Sequence, residues 1–103
     1  MKILKSFKRS AIMAHILYHT SKESVYGSWL LEELASHGYK ISPGSLYPWL
    51  NDLLDQNLLF QTERVVNGKV RKYYNITEQG REEFRALKHF LRELYSEVFE
   101  HEI

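Results

Sequence analysis

Cysteine is absent from this chain of 103 residues, and proline occurs only twice. Without cysteine the chain has no disulfide bonds, thiolate zinc sites or thiol nucleophile, which is typical of a reducing compartment. No apolar run reaches the roughly 18 residues that a transmembrane helix needs. Residues 11–18 follow basic residues, as in a signal peptide, but His15 interrupts them and no small-residue cleavage site follows. We therefore expect a cytoplasmic protein with no membrane partner.

The length of the chain suits one structural domain with a modest core, since domains usually have about 100–200 residues. The net charge is only +1, but the two signs are segregated along the chain. Residues 1–24 carry five basic residues and one acid, and residues 61–76 carry four basic residues and one acid. Segments 25–60 and 77–103 are both net acidic. The two basic segments favour a polyanionic partner.

Apolar periodicity and turn residues predict three helices in the first half of the chain: about 7–19, about 27–37, and from Ser42 to about residue 55. Residues 20–25 are predicted to form a loop, and Gly38 is predicted to end the second helix. The side chain of Ser42 can accept a hydrogen bond from the third helix, and Pro43 suits its first position. The start of this third helix is therefore well specified.

The third helix has two different sides. At about 100° per residue its leucines share one side, so we expect that half to be buried. The other side carries Asn51, Asp52 and Asp55, and the helix contains no lysine or arginine. Tyr47 lies at the flank of the leucine side, so packing and ligand contact both stay open for it.

The strongest local signal is a β-hairpin, because the β-prone runs 58–66 and 69–76 flank the Asn-Gly pair that two-residue turns prefer. The loop length fixes the register and places Arg64 opposite Arg71. One face should lie on the helices: Leu59, Val65, Val70, Tyr74 and Ile76. The other face carries both arginines and Lys69. Since like charges repel across a strand pair, we expect an anion to compensate them.

A final helix over about residues 78–100, capped by Thr77, is predicted to carry an apolar seam. The seam repeats every three or four residues: Phe84, Leu87, Leu91, Leu94 and Val98. Phe90, Tyr95 and Phe99 widen it beyond what a lone helix could leave in water. We therefore predict a symmetric homodimer with an interface that includes Phe84, Leu87, Leu91, Leu94, Tyr95 and Val98.

The order of two helices, a short turn, a capped helix and a basic hairpin is typical of winged helix-turn-helix proteins, whose second motif helix enters the major groove of DNA. The residues themselves resemble the PadR family of bacterial transcriptional regulators. The resemblance rests on Ser-Pro-Gly-Ser-Leu-Tyr at 42–47, Leu50, Gly68, and Tyr-Tyr-Asn-Ile-Thr-Glu-Gln-Gly-Arg at 73–81. It spans about residues 10–85, and the single helix after the hairpin is similar to the family's smaller subgroup.

The resemblance implies a fold of the α+β class, mainly α, in one structural domain. Residues 1–76 would form a winged-helix DNA-binding unit and residues 77–103 a dimerisation helix. The implied function is a dimeric repressor of a pseudo-palindromic operator, which in some members binds a small aromatic effector between the subunits. Carried over residue by residue, the implied contacts to double-stranded DNA are Ser42, Ser45, Tyr47, Lys69, Arg71 and Lys72.

This chain departs from the family at the third helix. Asn51 and Asp52 stand where basic residues are usual, and Asn57 stands where glycine is usual. Asn51 can still read an adenine edge, while attraction to phosphate must come from elsewhere. The basic residues available for it lie outside this helix: Lys5, Lys8, Arg9 and the basic residues of the hairpin, which include Arg64.

Two other classes of function stay open. The acidic third helix favours a winged-helix protein-interaction module with little DNA affinity, and the aromatic last helix would suit a carrier of aromatic ligands. His15 and His19 have the spacing of zinc ligands on a helix, but no third ligand or adjacent glutamate accompanies them. We predict no metal site, no cofactor and no enzymatic activity, since no catalytic arrangement is recognisable.

Overall fold

The computed structural model describes residues 2–100, so Met1 and residues 101–103 of the two predicted units lie outside it. The helices are α1 (Lys2–Lys22), α2 (Gly27–Ser36), α3 (Pro43–Asp55) and α4 (Glu78–Tyr95), and α4 is followed by a π-helical turn (Ser96–Glu100). The strands are β1 (Val25–Tyr26), β2 (Leu59–Val66) and β3 (Lys69–Ile76), which form one antiparallel sheet in the order β1-β3-β2. Within residues 2–100, no helix combines the length and the apolar character that crossing a bilayer requires.

The core lies between the first three helices and the base of the hairpin. Its most completely buried side chains come from four elements: Ile16, Leu30, Leu34, Leu46, Leu50 and Leu59. Burying each side chain of this kind contributes about 1.5–3 kcal/mol. The leucine side of α3 is buried as predicted, so the opposite side of α3, with Asn51 and Asp52, faces outward.

The bounds of the first and last helices differ from the sequence prediction, and one short strand was not predicted. Helix α1 is longer at both ends, and at its C-terminal end the Thr20 hydroxyl donates to the Ile16 carbonyl at 2.8 Å. The predicted loop 20–25 contains the start of β1, which is too short to show an alternating pattern and exists because Val25 and Tyr26 pair with β3. The last helix is α-helical only as far as Tyr95.

Helices α2 and α3 end in the same way. Gly38 has a φ of 89° and Asn57 a φ of 58°, both in the left-handed region. After α3, the Leu58 N–H donates to the Leu53 carbonyl at 2.9 Å, and an equivalent bond closes α2. Asparagine is among the few residues other than glycine that adopt this conformation readily. Asn57 therefore does what the family's usual glycine would do.

The start of α3 differs from the prediction in one detail. Ser42 precedes the helix with an extended backbone, and its carbonyl accepts hydrogen bonds from the N–H groups of Ser45 and Leu46 at 3.0 Å. Its side chain makes no capping hydrogen bond, so that prediction was wrong. Ser42 is exposed, and water can satisfy its hydroxyl there. Pro43 occupies the first turn, as predicted.

The hairpin has the predicted register, including Arg64 opposite Arg71. Its apolar face is buried only near the base, at Leu59, Tyr74 and Ile76. The prediction that the whole face lies on the helices was wrong, because Val65 is 74% exposed and Val70 63% exposed. Strands of eight residues rise by about 26 Å, and only the part of the hairpin nearest its base is covered.

Thr77 caps α4, as predicted. Its hydroxyl accepts a hydrogen bond from the Gly80 N–H at 2.9 Å and donates one to the Asn57 carbonyl at 2.7 Å. Gly80 is buried beneath this cap, where a Cβ atom would lie 2.1 Å from the Leu58 carbonyl oxygen. The approach of α4 to the end of α3 therefore requires a glycine at position 80.

We expect Gly80→Ala to lower the free energy of unfolding by about 1–3 kcal/mol, because the added methyl group meets backbone rather than a flexible side chain. Gly44→Ala is the matched control, since its Cβ atom would have only Ser42 Oγ nearby, at 3.6 Å. Within α3 that exchange should be neutral or stabilising by up to about 1 kcal/mol. Urea denaturation measures both variants, and equal stability of the two would contradict the close approach.

Candidate nucleic-acid interface

A groove runs between the hairpin and the start of α2 and α3. We call it the wing groove, and its lining combines cationic, aromatic and small residues: Tyr26, Gly27, Ser28, Tyr47, Val66, Asn67, Lys69, Val70, Arg71, Lys72 and Tyr74. Four of the predicted DNA-contacting residues therefore lie together in this groove, namely Tyr47, Lys69, Arg71 and Lys72. Sequence reasoning missed Ser28 and Tyr26, because their proximity to the hairpin depends on β1.

Tyr47 both packs and faces outward. It is 41% exposed, yet a Cβ atom on Gly27 would lie 2.2 Å from its hydroxyl oxygen. The ring therefore lies against the backbone at the start of α2, in space that the missing side chain of Gly27 leaves free. This contact fixes the ring at the edge of the wing groove and leaves part of it accessible to a ligand.

The two arginines of the hairpin are stacked on tyrosine rings. The Arg64 guanidinium lies 4.2 Å from the centre of the Tyr73 ring, and the Arg71 guanidinium lies 4.1 Å from that of Tyr26. The two tyrosines also meet edge to face, with ring centres 5.5 Å apart. Such contacts attract a cation to the negative face of the ring. The charge repulsion that led us to expect an anion is thus offset within the fold, although the cations stay at the surface.

A second basic surface lies beside the turn between α2 and α3. We call it the α1 basic groove; its cations come from the first half of α1 and from that turn: Lys2, Lys5, Lys8, Arg9 and Lys40. Lys8 and Arg9 thus lie near the entry to α3 but do not line the wing groove. Trp49 forms part of the floor of this groove and packs on the core.

The predicted base-reading residues lie on α3 or directly before it, outside both grooves. Ser42 and Asn51 are exposed, whereas Ser45 is partly buried. Asp52 and Asp55 are also exposed on this outer side. The exposed side of α3 is therefore acidic and polar, and the cations of the two grooves lie around it rather than on it.

An apolar groove of about 840 Å³ separates α1 from α4 and is lined by Phe7, Tyr18, Phe84, Leu87, Phe90 and Leu91, among others. Of the predicted dimer residues, Leu91, Tyr95 and Val98 are exposed, and Phe84, Leu87 and Leu94 are partly buried. Sequence reasoning missed the contribution of α1, which leaves Ile3, Leu4 and Phe7 exposed beside this groove. A three- to four-residue spacing from Leu4 through Phe7 to Ala11 was its only signal.

This arrangement, in which a capped helix follows a short turn and a twisted hairpin flanks it, defines the winged helix-turn-helix class. The sequence profile of the transcriptional regulator PadR-like family matches residues 16–86, and the chain belongs to this family. It is also 43% identical over 95 residues to transcriptional regulator Rv3488 of Mycobacterium tuberculosis, which covers 88% of this chain and 89% of that protein. The family consists of transcriptional regulators, so the prediction that the chain is not an enzyme is confirmed.

Solved structures agree with this assignment. A PadR-like transcription factor from Bacteroides fragilis superposes with a TM-score of 0.81 at 25% identity, over 95% of this chain and 96% of that one. A PadR-like transcriptional regulator from Bacillus cereus gives a TM-score of 0.78 at 33% identity, over 95% and 93% of the two chains. The predicted mainly α, α+β winged-helix fold is thus confirmed.

The stacking of Arg71 on Tyr26 can be measured by a double-mutant cycle with Arg71→Met and Tyr26→Leu. We expect a coupling free energy of about 0.5–1 kcal/mol, the value for a cation and a ring near the surface. Tyr26→Phe is the control, because it keeps the ring face and should keep the coupling. Additive effects of the two changes in urea denaturation would show that the contact stabilises nothing.

Proposed function

We propose that this PadR-family regulator is a homodimeric repressor that binds a pseudo-palindromic operator in double-stranded DNA of the cytoplasm. The observation that carries the proposal is the wing groove, where Lys69, Arg71 and Lys72 lie beside the exposed start of α3. An α-helix fits the major groove of a DNA duplex, and phosphates line both sides of that groove. Cations beside α3 could therefore contact these phosphates. The repressor role follows from the resemblance to the family.

Affinity and sequence preference would then come from different elements. The cations of the wing groove and those of the α1 basic groove, including Lys8 and Arg9, supply phosphate contacts that do not depend on the DNA sequence. Ser42, Ser45 and Asn51 on α3 supply hydrogen bonds to base edges. Asp52 and Asp55 lower the affinity of α3 for any phosphate and so favour sites where the base contacts are made.

The dimer is supported by the apolar surface that α1 and α4 leave exposed. Phe90 is 63% exposed and Tyr95 58% exposed, on a helix whose seam continues beside Phe7 of α1. Patches of this extent on a soluble chain mark association surfaces. A second copy, related to the first by a two-fold axis and packed along α4, would cover the seam. The dimer would then present one copy of α3 to each half-site of a palindrome.

The apolar groove between α1 and α4 supports the binding of a small aromatic effector. Its volume of about 840 Å³ lies within the range of about 300–1,000 Å³ that ligand sites occupy. Phe7, Phe84 and Phe90 offer ring faces and edges to a planar ligand. In the dimer this groove would be closed by the second subunit, so an effector there would alter the spacing of the two α3 helices.

DNA binding is tested by titrating the protein against mixed duplex fragments over a series of salt concentrations. We expect a steep fall of affinity with salt, and Lys69→Ala/Lys72→Ala should lower the salt slope by about 2 while weakening all sequences alike. Arg92→Ala on α4 is the control, because it removes a cation far from the wing. No salt dependence in the wild-type chain would instead favour the protein-interaction module.

The dimer is tested by sedimentation of the wild-type chain and of Leu91→Lys/Tyr95→Lys at micromolar concentration. We expect a dimer and a folded monomer respectively, because both side chains are exposed in the isolated chain and their replacement leaves the core intact. Glu93→Lys, which adds a lysine on the opposite side of α4, should remain dimeric. A stable wild-type monomer would reject the assembly.

A further inference from the structure

Four titratable side chains meet where α1 and α2 cross, at one end of the apolar groove. His15 and His19 come from α1, Glu33 comes from α2, and His37 directly follows the last residue of α2; within each pair the residues are four positions apart, about one helical turn, and so lie on the same side. His37 Nε2 lies 3.2 Å and His19 Nε2 lies 3.6 Å from the same carboxylate oxygen, Glu33 Oε1. The cluster thus joins α1 to the first helix of the helix-turn-helix motif.

Three of these residues can offer ligand atoms to one point. One nitrogen or oxygen from each of His19, Glu33 and His37 lies within 4.8 Å of the others. Bonds of about 2.0–2.2 Å to a metal ion bring ligand atoms to within about 3.5 Å of each other, and rotation of the half-exposed His37 side chain can close that difference. His15 lies outside this group, but its ring stacks on His37 with centres 5.2 Å apart.

One ligand atom of this cluster lacks a partner in the fold. His19 Nε2 is buried and makes no hydrogen bond, since the distance to Glu33 is too long for one. Buried polar atoms almost always have a hydrogen-bonding partner. An unpaired ring nitrogen that points toward a carboxylate and a second imidazole is the arrangement that a bound cation would complete.

The surroundings of the two histidines of α1 disfavour their charged form. Burial lowers the pKa of His15, and the neighbouring His37 and His19 lower it further. Burial also lowers the pKa of His19, although the negative charge of Glu33 opposes this shift. The edges of aromatic rings surround them, with the Trp29 ring 5.2 Å from that of His19 and the Tyr39 ring 5.3 Å from that of His15. A neutral imidazole has the free lone pair that a metal ion requires.

We propose that His19, Glu33 and His37 bind one divalent transition-metal ion of the zinc type. Imidazole nitrogens with one carboxylate form a ligand set that suits Zn²⁺ and its neighbours in the first transition row, and not Ca²⁺ or Mg²⁺, which take oxygen ligands. Three protein ligands leave at least one position open toward the apolar groove. The proposal departs from the sequence prediction of no metal site, which considered only ligands near His15 and His19 on α1, whereas Glu33 lies on α2 and His37 directly follows it.

The test uses the untagged full chain, stripped of metal by dialysis against a chelator and titrated calorimetrically with Zn²⁺. We expect one ion per chain at this site, and His37→Ala and Glu33→Gln should each weaken it by at least about tenfold. His37 is half exposed, so its replacement should leave the fold intact, which thermal unfolding without metal verifies. His89→Ala, an exposed histidine on α4, is the matched control and should bind Zn²⁺ as the wild type does.

Co²⁺ provides a second readout, since its visible absorption spectrum reports the ligands directly. The wild-type spectrum should show bound nitrogen ligands, and the His37→Ala spectrum should revert toward that of the free ion. Absence of Zn²⁺ binding by the wild type would overturn the proposal. So would binding that His37→Ala and Glu33→Gln leave unchanged, because the ion would then bind elsewhere on the chain.

Discussion

The structure depends on one junction, where α3 ends and α4 begins. A single hydroxyl, that of Thr77, donates to the Asn57 carbonyl and accepts from the Gly80 N–H. The Thr77 N–H donates to the Leu58 carbonyl at 3.1 Å, and Gly80 packs on that same carbonyl. These contacts tie the two ends of the hairpin to the end of α3. They therefore set the direction in which α4 leaves the hairpin, and a dimer built on α4 would inherit the spacing of its α3 helices from this junction.

Local rules were enough wherever one residue pair decides the geometry. The Asn-Gly turn was enough to predict the whole register of β2 and β3, and Thr77 was correctly predicted to cap α4. The leucine spacing of α3 identified its buried side. In each of these the residues that decide lie within a few positions of one another, so no knowledge of the rest of the fold was needed.

Contacts between distant segments could not be read in this way. Tyr26 reaches Arg71 only because β1 pairs with β3, and Glu33 reaches His19 only because α1 crosses α2. The failure at Val65 and Val70 has a related cause. Alternation shows which side chains share a face of a strand, but the extent of the surface beneath them depends on where the helices stop. The lining of the wing groove was thus predictable at Tyr47 and at the basic residues of the hairpin, and unpredictable where it needs β1.

Helix α1 is one continuous helix of 21 residues, about 32 Å long. The direction in which each of its side chains points depends on the number of residues that precede it in the helix, which limits where residues can be inserted. Its second half packs in the core through Ile12 and Ile16, while its first half places Lys5 in the basic groove and Phe7 in the apolar groove. One inserted residue between the halves would rotate the first by about 100° and remove both side chains from their grooves at once, without exposing any core residue. An insertion of seven residues would nearly restore the angle, but it would move both side chains by about 10 Å along the helix axis, so it too would remove them from their grooves. The exposed end of α1 is therefore as strictly limited in length as a buried helix would be.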